Sequence, residues 1–358
     1  MSVSHFPAGG RDPLALAPAD CGRGHACQFC PEESTCRLDK PKHEKRLIES
    51  RLGHIGQILL VMANKGGVGK STVSANLAAG LAARGYRVGV ADADIHGPNQ
   101  SRFFGFVGER IRLGGYGLTT QDFQAESIEH PIRVGSLAFM MESDDTPIVW
   151  RDAYKHDFMH HLIGSFDWGA LDFLVVDMPP GTGNELITLA DMLEGQDVAA
   201  LLATTPQEVA LMDSLKAVRF CQERSLPLLG AVENMSGVTC PHCSGKFHLF
   251  PRGHLAAALA EHDVKSLAQI PLSPTLASGS DAGRPIVIDA PDSPEALAFA
   301  PAIDACVAHA KALFAEAAAH SLDALIDEAG GEIEAALAEV PEEQREELRD
   351  QLAELLRR

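Results

Sequence analysis

The sequence predicts a doubly wound α/β domain, a mostly parallel sheet with helices on both faces. Three observations predict it. Apolar runs of four to six residues recur, separated by segments long enough for a helix; such runs are strands buried on both faces. The first run passes through a Gly-rich turn directly into a helical stretch. Polar residues, aspartates above all, stand just past the carboxyl ends of the runs, where open parallel sheets bind ligands.

Ahead of the first strand, residues 1–54 read as a cysteine-rich arm and linker. Residues 1–36 are rich in Gly, Pro and Cys with little periodicity, as expected of an arm ordered only by a ligand. The charged stretch Asp39 to Arg46 is a solvated linker or the start of a helix. The α/β domain is assigned to residues 55–317. Its first strand is Ile58-Leu59-Leu60-Val61-Met62, and the helix after the turn runs from Thr72 to Ala83. Arg87 to Ala91 is the second strand, ending in Asp92 and Asp94. Phe173 to Val176 ends in Asp177, and Val198 to Ala203 and Leu228 to Val232 complete the set. Phe139-Met140-Met141 reads as a further piece of strand core, and His160-His161 as surface or capping residues on a helix.

Residues 318–358 hold 12 Asp/Glu against four Lys/Arg, so this tail supplies -8 of the net charge of -19. Leu322, Leu325 and Ile326, then Leu348, Leu352 and Leu355, recur at helical spacing around Pro341. Two acidic amphipathic helices are expected, packed on the domain or paired with another chain.

Over 358 residues, 46% apolar and 22% charged is an ordinary globular composition. The net charge of -19 argues against nucleic acid or an anionic membrane as partner, since both need cationic surface. No apolar run approaches the roughly 20 residues that span a bilayer, and the first 20 residues hold no apolar signal core. A cytoplasmic protein is expected. Thiols stay reduced there, so the eight cysteines are read first as metal ligands or reactive thiols.

The segment Asn64-Lys65-Gly66-Gly67-Val68-Gly69-Lys70-Ser71-Thr72 links the first strand to the first helix. Glycines let backbone N–H groups curl round a phosphate, and the helix N-terminus adds positive dipole character. Lys70 is placed to reach β- and γ-phosphates and Ser71 to ligate Mg²⁺. Asn64 stands where a strict Walker A motif has Gly, while Lys65 before two glycines marks the deviant form. Phosphoryl transfer needs one group to orient water and another to hold Mg²⁺. Asp92 and Asp94, with Asp177 in Val176-Asp177-Met178-Pro179-Pro180-Gly181-Thr182-Gly183, are candidates for both.

Five motifs occur in order: Asn64–Thr72, Asp92–Asn99, Asp177–Gly183, Thr204-Thr205-Pro206-Gln207, and Val232-Glu233-Asn234-Met235-Ser236 followed by Cys240-Pro241-His242-Cys243. From about residue 55 to 300 the chain resembles the Mrp/ApbC iron–sulfur cluster carrier ATPases. These P-loop NTPases belong to the deviant Walker A class that also holds MinD, ParA and the nitrogenase iron protein. The resemblance implies a homodimer with ATP sandwiched at the interface and Gly66, Gly67, Val68, Gly69, Lys70, Ser71 and Thr72 around the phosphates. It implies that Lys65 reaches the partner's nucleotide, Asp94 activates water, Asp177 holds Mg²⁺ through water and Asn234 reads adenine. Departures at Asn64, Asn184, Asp152-Ala153 and Pro251 to His254 remove no side-chain ligand of phosphate or metal.

By itself Cys240-x₂-Cys243 admits three readings. It is a redox pair, half of a zinc site completed by His248 or His254, or half of a [4Fe–4S] site meeting a second pair across a dimer. The resemblance favours the last. Near the N-terminus the spacing is Cys21-x₅-Cys27-x₂-Cys30-x₅-Cys36. Its last three cysteines match the end of the ferredoxin-like extension of eukaryotic-type members, so a second [4Fe–4S] cluster is expected. The first spacing is shorter than theirs; His25 is an alternative to Cys21, and zinc an alternative to the cluster. Cys221 and Cys306 stand alone as small buried hydrophobes.

The resulting expectation is an ATP-hydrolysing scaffold of slow turnover that builds a cluster at a homodimer interface and delivers it to apo-proteins. Cluster or electron donors would be further partners. The alternatives are a positioning ATPase of the MinD/ParA kind, which the acidic tail and surface oppose, and an ATP-dependent electron donor like the nitrogenase iron protein.

Overall fold

The computed structural model describes residues 25–95, 97–140, 152–181, 183–240, 242–243, 245–250 and 255–317. Cys21, Met141, His254 and the tail 318–358, for which the sequence raises expectations, therefore lie outside the described residues. By contacts the chain divides after Ala308, and the described residues of the second unit, 309–317, are helical.

The described residues of the first unit form ten strands: β1 (Ile55–Met62), β2 (Val88–Asp92), β3 (Gln121–Phe123), β4 (Ile132–Ser136), β5 (Leu171–Asp177), β6 (Val198–Thr204), β7 (Leu228–Asn234), β8 (Val238–Thr239), β9 (Lys246–Phe247) and β10 (Ser266–Ile270). Eight form one sheet in the order β10-β7-β6-β1-β5-β2-β4-β3, and β8 pairs with β9 separately. Every neighbour pair in the large sheet is parallel except β3–β4. From β1 the sheet extends on one side through β5, β2, β4 and β3, and on the other through β6, β7 and β10. The direction of winding reverses beside β1, the place where such sheets open a ligand crevice.

Each apolar run of the sequence becomes a strand, and every residue of β1, β2 and β5 is buried. Alternation sends Ile58, Leu60 and Met62 into a core with Leu162, Leu189 and Val218. These come from α4 (Asp152–Gly164), α5 (Asn184–Met192) and α6 (Glu208–Glu223). The opposite face is covered by α2 (Lys70–Ala83) and the short α9 (Ile286–Asp289), which pack together.

Two elements correct or settle the sequence reading. Phe139 is buried but belongs to a 3-10 turn, Leu137–Met140, rather than to a strand, and Met140 is exposed. Ser136 Oγ accepts from Ala138 N at 3.2 Å and turns the chain as β4 ends. The charged stretch after residue 38 is helix α1 (Lys40–Leu52), capped by Asp39, whose carboxylate accepts from Lys42 N at 3.2 Å. His43, Leu47 and Leu52 are its buried face, packed against α4.

A helical stretch, Pro294–Ala317, is long and apolar enough to cross a membrane by length and composition. It carries Glu295 and Asp304, and Phe299, Ala302, Ile303 and Cys306 along it are buried. Ile303 fills the space in front of Gly80 on α2. This is the pattern of an amphipathic helix docked on a domain.

Trp168 anchors the turn before β5. It is fully buried, and its Nε1 donates to Leu162 O at 3.1 Å. Gly135 makes the room: a Cβ there would lie 2.7 Å from the indole. Replacing Trp168→Ala empties that space and leaves a buried carbonyl unpaired, so denaturant titration should show a loss of about 3–5 kcal/mol.

Candidate functional site

The crevice at the carboxyl end of β1 is formed by residues 63–69 and the first turn of α2. Gly67 and Gly69 have φ of +80° and +83°, a conformation that suits glycine. A Cβ on Gly69 would lie 2.0 Å from Asn234 Nδ2. That close approach is used, because Asn234 Nδ2 donates to Val68 O at 2.9 Å from the end of β7. Asn234 is only 4% exposed, so the strand end clamps the loop from beneath. Gly66 and Gly67 are exposed, Ser71 and Thr72 are half-buried, and the N-terminus of α2 faces the crevice.

Lys70, the first residue of α2, is buried with Asp177 at the end of β5. Its Nζ lies 2.7 Å from Asp177 Oδ1 and 3.5 Å from Asp94 Oδ2. Burial opposes the charge on Lys70, yet Asp177 and Asp94 outweigh it and hold the ammonium above its ordinary range. Asp177 accepts twice more, from Ser74 Oγ at 2.9 Å and from Gln100 Nε2 at 2.8 Å. Burial of an ion pair is tolerated only when the remaining lone pairs are satisfied in this way. Burial likewise raises Asp94, against the pull of Lys70. Lys65, half-buried on the loop, has no side-chain partner among the described residues.

Asp92 pairs in register with Asp177 across β2–β5. Its Oδ2 accepts from Gln100 N at 2.9 Å and Ser136 Oγ at 3.0 Å. Gln100 thus joins Asp92, Asp177 and, through Ser71 O at 3.1 Å, the phosphate loop. Gln100 and Ser74 went unseen in the sequence. Ser74 sits one helical turn after Lys70, and Gln100 directly follows the Asp92–Asn99 motif; those spacings were the available signals.

The cysteine pair lies elsewhere, in the turn between β8 and β9. Cys240 N donates to Gly245 O at 2.9 Å and closes the hairpin. Backbone N–H groups of His242 and Cys243, with the Cys243 thiol, lower the Cys240 thiol below its ordinary value. Cys240 is half-buried and Cys243 exposed, with Phe247 and Leu249 exposed beside them. His248 is turned to Ser236 O, with Nδ1 at 2.8 Å. Among the described residues no three His, Cys, Asp or Glu side chains lie close enough to hold one metal ion. Cys27, Cys30 and Cys36 line one cavity on the arm. Cys221 and Cys306 are buried, and burial pushes both thiols up to about 12.

Burial first, and Asp177 second, push the Asp92 carboxyl up to about 8. An unfolded Asp ionises near pH ~3.9. Between those values only the unfolded chain gives up its proton, so stability of the nucleotide-free protein falls as pH rises through this window. Denaturation at about pH 5 and about pH 7 should show that fall, up to roughly 1.4 kcal/mol per pH unit, shrinking in Asp92→Asn. Equal slopes in the two proteins would refute the assignment.

Residues 54–307 match the ParA family model described as NUBPL iron-transfer P-loop NTPase. The chain is 43% identical over 247 residues to an iron-sulfur cluster carrier protein from Aquifex aeolicus, covering 68% of this chain and 65% of that one. It therefore spans just under two thirds of that relative's length. It is 38% identical over 277 residues to a cytosolic Fe-S cluster assembly factor Nubp1 homolog from Drosophila pseudoobscura pseudoobscura, covering 74% of this chain and 87% of that one. Among solved structures, the nucleotide-binding protein from Archaeoglobus fulgidus in complex with ADP superposes with a TM-score of 0.60 at 30% identity, over 71% of this chain and 96% of that one. With the deviant phosphate loop, the strand-end aspartates and the cysteine turn in place, the chain belongs to the NUBPL iron-transfer P-loop NTPase family.

Proposed function

We propose that the chain is an ATP-binding, slowly ATP-hydrolysing carrier that holds a [4Fe–4S] cluster, its cargo, between two copies of itself and delivers it to apo-proteins. One observation carries the reading: a phosphate loop shares the chain with a two-cysteine turn that gathers no third metal-ligating side chain among the described residues. A [4Fe–4S] cluster takes four thiolates, and two Cys240/Cys243 pairs supply them. The lowered Cys240 thiol favours the thiolate that iron needs. Exposed Phe247 and Leu249 give the second copy an apolar lip to meet.

The donor set of the crevice fits a magnesium nucleotide. Backbone N–H groups from Gly66 to Gly69 and the start of α2 receive phosphates. Lys70 leaves Asp177 for the β- and γ-phosphates. Ser71 would hold Mg²⁺ directly and Asp177 through water, its other contacts to Ser74 and Gln100 keeping the carboxylate in place. Thr72 adds its hydroxyl to the phosphate shell. Asn234, tethered to Val68, keeps Oδ1 for the adenine amino group. Lys65 reaches the partner's nucleotide, consistent with its lack of a side-chain partner among the described residues, and Asp94 orients the attacking water.

A second, resident [4Fe–4S] cluster is assigned to Cys27, Cys30 and Cys36, with Cys21 the remaining cysteine of the arm. Cluster and electron donors are the further partners. Cytosolic residence follows the Nubp1 relatives, and the net charge of -19 speaks against nucleic acid or membrane partners.

Protein purified without oxygen tests the reading. Cys240→Ala should lose the bridging cluster, about four iron per two chains, while its ATP affinity stays within about twofold of the cluster-free wild-type chain. Lys70→Ala should weaken ATP binding by at least about tenfold and keep the iron. Full iron and sulfide content in Cys240→Ala would overturn the bridging site.

A further inference from the structure

Three of the arm's four cysteines, Cys27, Cys30 and Cys36, line a cavity of about 140 Å³, shared with His25, His43, Glu32 and Glu33. Two 3-10 turns, Cys27–Phe29 and Glu33–Thr35, wrap the arm around it. The described part of the arm is fastened to α1: His43 Nε2 donates to His25 O at 3.1 Å.

His25 itself is 7% exposed, and its Nε2 donates to Gly114 O at 2.8 Å. A carbonyl only accepts, so the ring proton is on Nε2 and Nδ1 carries a lone pair. Nδ1 is buried and has no partner among the described residues. A buried acceptor without a donor is costly to keep. An imidazole tied by one nitrogen to a backbone carbonyl, on a residue that lines the thiol cavity and whose other nitrogen lacks a partner among the described residues, has the second-shell tie of metal-bound histidines.

The size of the group follows from the same donors. A single zinc ion draws four ligands onto one point at about 2.0–2.3 Å, and among the described residues no three donors converge in that way. A cluster takes its ligands at separate corners, around a volume. Cys27, Cys30, Cys36 and His25 ring such a volume.

We infer that His25, through Nδ1, is the fourth ligand of the arm's [4Fe–4S] cluster, beside Cys27, Cys30 and Cys36. The inference rests on the reading of the arm as a cluster site. Neutral imidazole in place of a thiolate leaves the cluster less negative, so this centre takes an electron at higher potential than a four-thiolate one. It also explains how a cluster binds although the first cysteine spacing is short: Cys21 is not needed.

The test uses the full chain with Cys240→Ala and Cys243→Ala, so that the arm holds all the iron. Pulsed EPR of the reduced protein should show strong ¹⁴N coupling from a ligated imidazole. His25→Ala should lose the coupling and more than half of the iron. His25→Cys should keep the iron, lose the coupling and lower the midpoint potential. Cys21→Ala should leave iron and coupling unchanged. Absent ¹⁴N coupling, or iron lost in Cys21→Ala and kept in His25→Ala, would overturn the inference while leaving the cluster in place. Zinc without sulfide, or full iron in Cys27→Ala, would instead overturn the cluster reading of the arm.

Discussion

The buried ion pair between Lys70 and Asp177 is the contact on which the ligand crevice depends. It joins the first residue of α2 to the last residue of β5, with side chains 7% and 0% exposed. Two opposite charges withdrawn from water are stable only if every lone pair and proton is used. Ser74 and Gln100 meet that demand on Asp177, and Asp94 shares the ammonium. The nucleotide-free crevice is thereby held in a satisfied state. On the proposed function, a magnesium nucleotide would offer equivalent partners, phosphate for Lys70 and a hydrated cation for Asp177. Binding would then be an exchange of partners, selective because a ligand lacking either charge leaves one buried group unpaired.

The same economy of partners links the crevice to the cysteine turn. Asn234 closes β7 and holds Val68; Cys240 follows within a few residues, across a turn that contains Met235 at a φ of +56°. Ser236 N donates to Ile270 O at 2.9 Å, and His248 ties Ser236 O to the far side of the hairpin. The connection is short, and hydrogen bonds at Ser236, Gly237 and Cys240 tie it to its surroundings. In a carrier built from two such chains, a movement of the phosphate loop against Asn234 would change the separation of the cysteine pairs. Nucleotide state and grip on the cargo then share one coupling free energy.

Much of this was legible in the sequence. The five apolar runs announced strands because burial on both faces leaves no room for alternation, and the glycines of residues 66–69 announced a loop. The strands β4 and β10 were hidden by Arg133 and by Ser266 and Gln269, which serve the polar side or the edge of the sheet. Phe139 was misread because a buried aromatic marks core, not backbone conformation. Gln100 and Ser74 could not stand out: each is an ordinary polar residue until the fold brings it to Asp177. The arm was the least legible part. Its cysteine spacing suggested a metal, but only the hydrogen bond from His25 to Gly114 fixes which nitrogen is free.

The most direct test of the account is the affinity for MgATP, or a non-hydrolysable analogue, measured by calorimetry on cluster-free and cluster-loaded protein under exclusion of oxygen. Coupling of the two sites predicts dissociation constants that differ by at least about fivefold, with the same factor in cluster affinity when the experiment is reversed. Identical constants would contradict it, leaving an ATP site and a cysteine turn that share a chain without communicating.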